Sequence, residues 1–216
     1  MDVPYEHIRC DCTERSCPVF PKCCFLPTEC YPSPEGQVHL LFVGQGGGRD
    51  ERKKGRPFIG RAGARIRQQV AWVRHRLSIY VGVAFSNTIR DNPDGNRIPS
   101  DEELQKCLPY LFRDIALLKQ RGLGMVVLLG NAAKSALIRT GTEGMSKDRG
   151  KIFRIRNGIF EEMPMMPTYH PSYVMRKYPR FNEDVPSHLD RVVIGDIISA
   201  FEFTRATDVD ETTLFE

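Results

Sequence analysis

No run of eighteen apolar residues occurs in the chain, so no membrane-spanning helix and no membrane partner are expected. The first nine residues lack the basic-then-apolar order of a secretory leader, which predicts a soluble protein of the cytoplasm. A strong excess of either charge is also missing. The formal net charge is +4, so bulk charge singles out no partner, and the protein is expected to work as a monomer. No Gly-Lys-Ser/Thr ending follows the glycine-rich stretch at 44–48, and its glycines miss the dinucleotide-binding spacing, which leaves nucleotide binding a weak reading. A paired C-x-x-C zinc ribbon is missing as well.

What the chain does hold is material for one good core. With 216 residues, 41% of them hydrophobic, one domain with decorated ends is expected. We divide it into a cysteine-rich segment at 1–37 packed on the domain, a main domain at 38–205 and an acidic, frayed tail at 206–216. Charge is unevenly spread: residues 49–67 carry eight Arg or Lys against Asp50 and Glu51. A polyanion would find this strip first, although charge alone equally fits a solvated loop face.

Six of the seven cysteines, Cys10, Cys12, Cys17, Cys23, Cys24 and Cys30, fall in the first thirty residues, and Cys107 stands alone. Where thiols stay reduced, such crowding reads as metal ligation before disulfides. Only His7 lies nearby, so thiolate ligation of an iron–sulfur cluster competes well with zinc. A disulfide-stapled tail stays open, although an odd total leaves one thiol over.

Along the main domain, strand and helix patterns alternate. Residues 38–43 (VHLLFV), 80–86, 125–129 (MVVLL) and 165–168 read as strands, and 152–155 with 159–163 as a hairpin across Asn157-Gly158. Helices are expected at 62–77, at 100–120 with Ser100 as N-cap and Glu103 completing a capping box, at 131–138, and at 187–204 capped by Ser187 and Asp190. This alternation argues an α/β fold, a three-layer sandwich with a central, mainly parallel sheet whose ligands sit at the carboxyl ends of the strands. Segments 44–60, 87–99 and 170–176 all follow strands, so they are expected to converge.

The stretch from Val43 to Gly63 holds Gly44-Gln45-Gly46-Gly47-Gly48, Asp50-Glu51 and Pro57-Phe58-Ile59-Gly60, ending in Ala62-Gly63. It resembles, without a gap, the first motif of the family 4 uracil-DNA glycosylases, the iron–sulfur-containing branch, which reads GEAPG-x-x-E-D-x-x-G-x-PFVG-x-AG. Ser86-Asn87, Leu128-Leu129-Gly130-Asn131-Ala132-Ala133 and the run from Pro167 to Arg176 (PTYHPSYVMR) resemble the family's later motifs, in the family's order. The resemblance implies a uracil-DNA-glycosylase-like fold and a DNA glycosylase acting on single- or double-stranded DNA. Such an enzyme flips out a pyrimidine nucleotide, hydrolyses its N-glycosidic bond and leaves an abasic site.

Residue by residue, the resemblance implies that Phe58 stacks on the flipped base, that Asn87 reads its edge, and that His170 donates to O2 as charge builds on the leaving pyrimidine. Gly44, Gln45 and Gly46 would line the base pocket. Ser172, Arg176 and Arg61 would hold the DNA backbone, with Val174 and Met175 wedged into the gap. Two departures stand out. Gln45 replaces the family's Glu and cannot take a proton from water, which leaves Asp50 or Glu51 to supply charge. Gly46-Gly47 replace Ala-Pro, which suggests room for a larger base, as in an anti-phage glycosylase removing glucosylated hydroxymethylcytosine. A catalytically inactive DNA-binding homologue is the second alternative. The resemblance also implies a structural [4Fe–4S] cluster. One of the family's cysteine positions falls at Asp91 and another at Cys107, so Cys17 and Cys107 with two of Cys12, Cys23, Cys24 and Cys30 are the expected ligands, with zinc as the alternative.

Overall fold

The computed structural model describes residues 5–13, 15–17, 23–91, 97–138, 142–155 and 162–212. The sheet is built from β1 (Glu6–Ile8), β2 (Thr28–Tyr31), β3 (Leu40–Gly44), β4 (Val83–Asn87), β5 (Met125–Leu129), β6 (Phe153–Ile155) and β7 (Met163–Thr168), in the spatial order β1-β2-β4-β3-β5-β7-β6. The central strands β4, β3, β5 and β7 are parallel, while β2, β1 and β6 run antiparallel at the edges.

Buried on both faces, the central strands read as continuous apolar runs rather than as alternating patterns. The two-residue period then sorts them between two cores. Leu40, Phe42, Phe85, Val127 and Leu129 point to one face, where they meet Ile66, Val70 and Val73 of α2 (Arg61–Leu77) and Val193, Ile197 and Phe201 of α7 (His188–Thr212). Leu41, Val43, Ala84, Val126 and Leu128 point to the other, against Leu108, Leu111, Ile115 and Leu118 of α3 (Asp101–Lys119) and Ala133 and Leu137 of α4 (Gly130–Leu137). Each such side chain, fully buried, contributes roughly 1.5–3 kcal/mol of transfer free energy. The expected three-layer sandwich is thus present.

Most expected elements appear within a few residues of their predicted ends. Ser100 Oγ accepts from Glu103 N–H while Glu103 Oε2 accepts from Ser100 N–H, the reciprocal cap foreseen for α3. Ser187 Oγ accepts from Asp190 N–H at the start of α7. That helix continues to Thr212 instead of fraying from 206. The Asn157-Gly158 turn lies outside the described residues, although β6 and β7 pair antiparallel as a hairpin would. Short α1 (Arg49–Lys54), α5 (Met145–Asp148) and α6 (Pro171–Lys177) were not anticipated. Neither were β1 and β2, by which the cysteine-rich segment joins the sheet itself.

The β2–β4 edge is fastened by a buried polar node. Arg90, 1% exposed, donates through Nη1 to Ser86 Oγ at 2.6 Å and to Thr28 Oγ1 at 3.0 Å, and through Nη2 to Asp114 Oδ2 at 2.5 Å. Thr28 Oγ1 also donates to Asp114 Oδ2, at 2.7 Å. A guanidinium buried this deeply survives only because its counter-charge is equally buried. Asp114→Ala should therefore cost about 3–5 kcal/mol in urea unfolding, whereas Asp114→Asn, which keeps one acceptor, should cost less.

Candidate active site

The three segments expected to converge do so at the carboxyl ends of β3, β4 and β7. They bound a cavity of about 540 Å³ lined by Gly44, Gln45, Gly46, Asp50, Glu51, Phe58, Arg61, Asn87, His170 and Ser172. Gly130, Asn131 and Ala132, at the end of β5, complete the wall, with Arg49 at the rim. Those four were not among the expected site residues. The rule that ligands collect beyond strand ends would have found the first three.

Close packing of backbone against side chain shapes the floor. A Cβ at Gly44 would lie 2.7 Å from Asn87 Oδ1 and 2.8 Å from Phe58 Cζ, so only glycine lets the amide and the ring approach this closely. Phe58 itself has φ 55°, a left-handed conformation that costs a bulky residue energy. Its backbone is held there by Arg67, whose Nε donates to Phe58 O at 2.9 Å and whose Nη2 donates to Pro57 O at 3.2 Å. Arg67 Nη2 is in turn fixed by Glu29 Oε1 at 2.6 Å. Burial opposes ionisation of Glu29, but Arg56, Tyr31, His7 and Arg67 outweigh it and hold the carboxyl down to about 2. The Phe58 ring is both a core side chain and a face of the cavity.

His170 caps α6. Its Nδ1 accepts from Ser172 N–H at 3.1 Å and sits 2.7 Å from Ser172 Oγ. An acceptor Nδ1 fixes the neutral tautomer, leaving the ring proton on Nε2. Desolvation, reinforced by Arg176, lowers the imidazole to about 4. The ring is thus a neutral N–H donor in a largely dry wall.

The first-motif loop is organised from within. Glu51 Oε2 accepts from Gly48 N–H at 3.0 Å and Oε1 from Gly60 N–H at 2.8 Å, tying the N-caps of α1 and α2 to one carboxylate. Asp50 lines the cavity and is exposed. Gln45 turns its Nε2 to Arg97 O at 2.8 Å. The space freed by the glycines does not open into the cavity. A Cβ at Gly46 would meet Asp91 O at 2.7 Å and Ile89 Cγ1 at 3.1 Å, and one at Gly47 would meet Leu26 Cδ1 at 2.3 Å. Leu26 and the chain at 89–91 occupy that room, which corrects the expectation of a widened base pocket.

On α6, Tyr173, Arg176 and Lys177 face outward and Met175 is half-buried, but Val174 is fully buried in the core. Val174 is therefore packed against the sheet, not free to wedge into DNA as expected. The helical period decides this, because positions 171 and 174 share the inner face.

Of the cysteines, Cys17 and Cys107 are buried, and Cys23 and Cys24 aim their thiols at Arg90 O, at 3.6 and 3.3 Å. Burial pushes Cys107 up to about 11 and Cys24 up to about 12, outweighing the opposing charges of Arg90 on the first and Arg52 on the second. Cys12 and Cys17 lie close enough to Cys107 to add to its shift. Cys30 does not join them. It is a core residue of β2, paired in register with Glu6 and Ala84. Among the described residues, no three His, Cys, Asp or Glu side chains gather closely enough to hold a single metal ion.

An aromatic ring, a side-chain amide and a neutral imidazole, those of Phe58, Asn87 and His170, thus line one cavity at parallel strand ends. A sequence model of the uracil DNA glycosylase superfamily matches residues 33–190. The type-4 uracil-DNA glycosylase of Pyrobaculum aerophilum is 34% identical over 147 residues, covering 66% of this chain and 72% of that protein. The type-4 uracil-DNA glycosylase of Thermotoga maritima is 32% identical over 170 residues, covering 78% and 79%. The chain belongs to the uracil DNA glycosylase superfamily and is by class a DNA glycosylase, a hydrolase of the bond between base and sugar. No helix among the described residues is long and apolar enough to cross a membrane.

The imidazole makes a testable claim. Burial holds its folded-state pKa, about 4, below its ordinary 6.5, so between those values the unfolded chain binds a proton that the folded chain refuses. This contribution to stability is full above pH 6.5 and is lost as pH falls toward 4. An NMR titration of the ring should give a midpoint near 4, and His170→Asn, which can still cap α6, should flatten the corresponding slope of stability against pH.

Proposed function

We propose that this protein removes uracil from DNA by flipping the nucleotide into the cavity and hydrolysing its N-glycosidic bond. The observation that carries the reading is the neutral His170, with its Nδ1 committed to Ser172 N–H and its remaining donor on the side of the ring away from α6. As the bond lengthens, negative charge moves onto the pyrimidine O2, and a preorganised N–H there stabilises the transition state more than the ground state. The Asn87 amide suits the O4 and N3–H edge, since its N–H₂ donates to one and its oxygen accepts from the other. The Phe58 ring offers the stacking face.

On the sugar side, positive charge develops at C1′. Water adds there as hydroxyl, its second proton goes to solvent, and the base leaves as the pyrimidine anion. Gln45 can orient the water through its carbonyl oxygen, while exposed Asp50 supplies negative charge close to the sugar. Glu51, with both oxygens held by backbone N–H groups, positions the loop. Arg61, Ser172 and Arg176 would hold phosphates, and half-buried Met175 or exposed Tyr173 would enter the gap in the stack. Uracil is favoured over a bulkier pyrimidine because Leu26 and residues 89–91 fill the space behind Gly46 and Gly47.

The thiols around Arg90 O suit a buried [4Fe–4S] cluster better than zinc. They are soft donors, buried at Cys17 and Cys107 and half-buried at Cys23 and Cys24, and among the described residues no three such side chains gather for one ion. Such a group, when bound, would supply structural cross-linking between the cysteine-rich segment and the start of α3.

Incubation with DNA carrying uracil, hydroxymethylcytosine or glucosylated hydroxymethylcytosine, followed by alkali, should break the strand at uracil. Breaks only at the modified cytosines would instead support the anti-phage alternative, and no breaks with any base would leave the inactive homologue. His170→Ala should lower kcat by about 10²–10³-fold. Breaks at an undiminished rate would overturn its role. Phe58→Ala and Arg67→Ala should each weaken turnover, and the double variant should lose much less than the sum, because Arg67 acts through the backbone of Phe58.

A further inference from the structure

Asp91 follows Arg90 directly and is 1% exposed, and its carboxylate finds no nitrogen or oxygen donor at hydrogen-bond distance, only the thiol of Cys24. An ionised carboxylate in such a place costs several kcal/mol unless a cation offsets it. The nearest cation is Arg52 Nη2, 3.5 Å away and a third exposed. What surrounds Asp91 otherwise is sulfur. Its charge acts on Cys23 and Cys24, and Cys107 acts on Cys23 in the same way. Cys17 is buried beside Cys107. A carboxylate set among thiols is a repulsive arrangement once any thiol ionises, and only positive charge in their midst reverses that. The main-chain position of Asp91 is fixed, since its carbonyl accepts from Gly47 N–H at 3.0 Å.

We propose that Asp91 is itself a ligand of the iron–sulfur cluster, completing a three-thiolate, one-carboxylate set with Cys107, Cys17 and one thiol of the Cys23-Cys24 pair. This rests on the cluster reading above. Iron accepts carboxylate oxygen as well as thiolate sulfur, and each iron of a cubane takes one terminal ligand, so donors too widely spread for a single ion suit a cluster. The buried carboxylate, the thiols gathered beside it and the family cysteine that is missing at this position then have one explanation. Because Asp91 O also braces Gly47, the ligand is joined through its own backbone to the loop that lines the base cavity.

The test uses the full chain purified without oxygen, and reads iron and sulfide content, visible charge-transfer absorption and EPR. An oxygen-ligated iron is the one most readily lost. One equivalent of ferricyanide should take one electron from [4Fe–4S]²⁺, releasing Fe²⁺ and leaving EPR-active [3Fe–4S]⁺ while ferricyanide becomes ferrocyanide. Asp91→Cys, which supplies a fourth thiolate, should keep all four irons under the same treatment. Asp91→Ala should be isolated already in the three-iron form. Iron-free wild-type protein would overturn the cluster reading and this proposal together. A wild-type cluster with four irons, matched by Asp91→Ala in iron content, spectrum and response to ferricyanide, would overturn the proposal and leave the cluster intact. Should Asp91→Ala fail to fold, the wild-type and Asp91→Cys pair decides alone: equal resistance to ferricyanide rejects Asp91 as a ligand.

Discussion

Everything at the functional end of this molecule depends on where the chain goes after β4, and Arg90 fixes that path. Its guanidinium is sunk into Ser86, Thr28 and Asp114, so the residue cannot move without exposing or stranding a buried charge. Its carbonyl takes Leu26 N–H at 3.0 Å and the thiols of Cys23 and Cys24. Three residues before it is Asn87, at the cavity floor, and one residue after it is Asp91, among the sulfurs. A single buried side chain therefore registers the cysteine-rich segment, the outer part of the sheet and the Asn87 amide against one another.

The cavity works by fixed dipoles more than by charge. Neutral His170, the Asn87 amide and glycine backbone held by Glu51 are all set before any ligand arrives. A low-dielectric wall makes each of these donors count for more than it would in water. The charged groups sit at the mouth, where Asp50 and Arg61 are exposed. This separation suits a reaction in which a polyanion must be held outside while charge develops on a neutral heterocycle inside.

Elements whose stability comes from their own periodicity and caps were legible in the sequence. β5 was read with its observed bounds, and Ser100 and Glu103 announced α3. Phe58, Asn87 and His170 were legible through family motifs, and the parallel fold required their segments to meet. The remaining features depend on contacts that only folding supplies. β1 and β2 are three and four residues long, and they become strands because β4 offers an edge. α1 is a charged hexapeptide capped by Glu51 reaching back to Gly48, and held in place by the same carboxylate reaching Gly60 at the start of α2. Loop glycines carry no mark of which way a missing side chain would have pointed, so the direction of the space at Gly46 and Gly47 was read wrongly. Val174 was read as part of a loop, and the one-turn period of α6 that buries it was overlooked.

Leu26 filling the hollow behind Gly47 has a consequence for how this loop can vary. With any side chain at 47, Leu26 as seated here overlaps it, and Leu26, fully buried, has little freedom to step aside. The two positions are thus a single lock-and-key pair read across twenty residues of sequence. Restoring the family's Pro at 47 therefore calls for a shift or a smaller residue at 26, so the fitness of either change is conditional on the other, while Ala at 46 must separately displace the chain at Asp91.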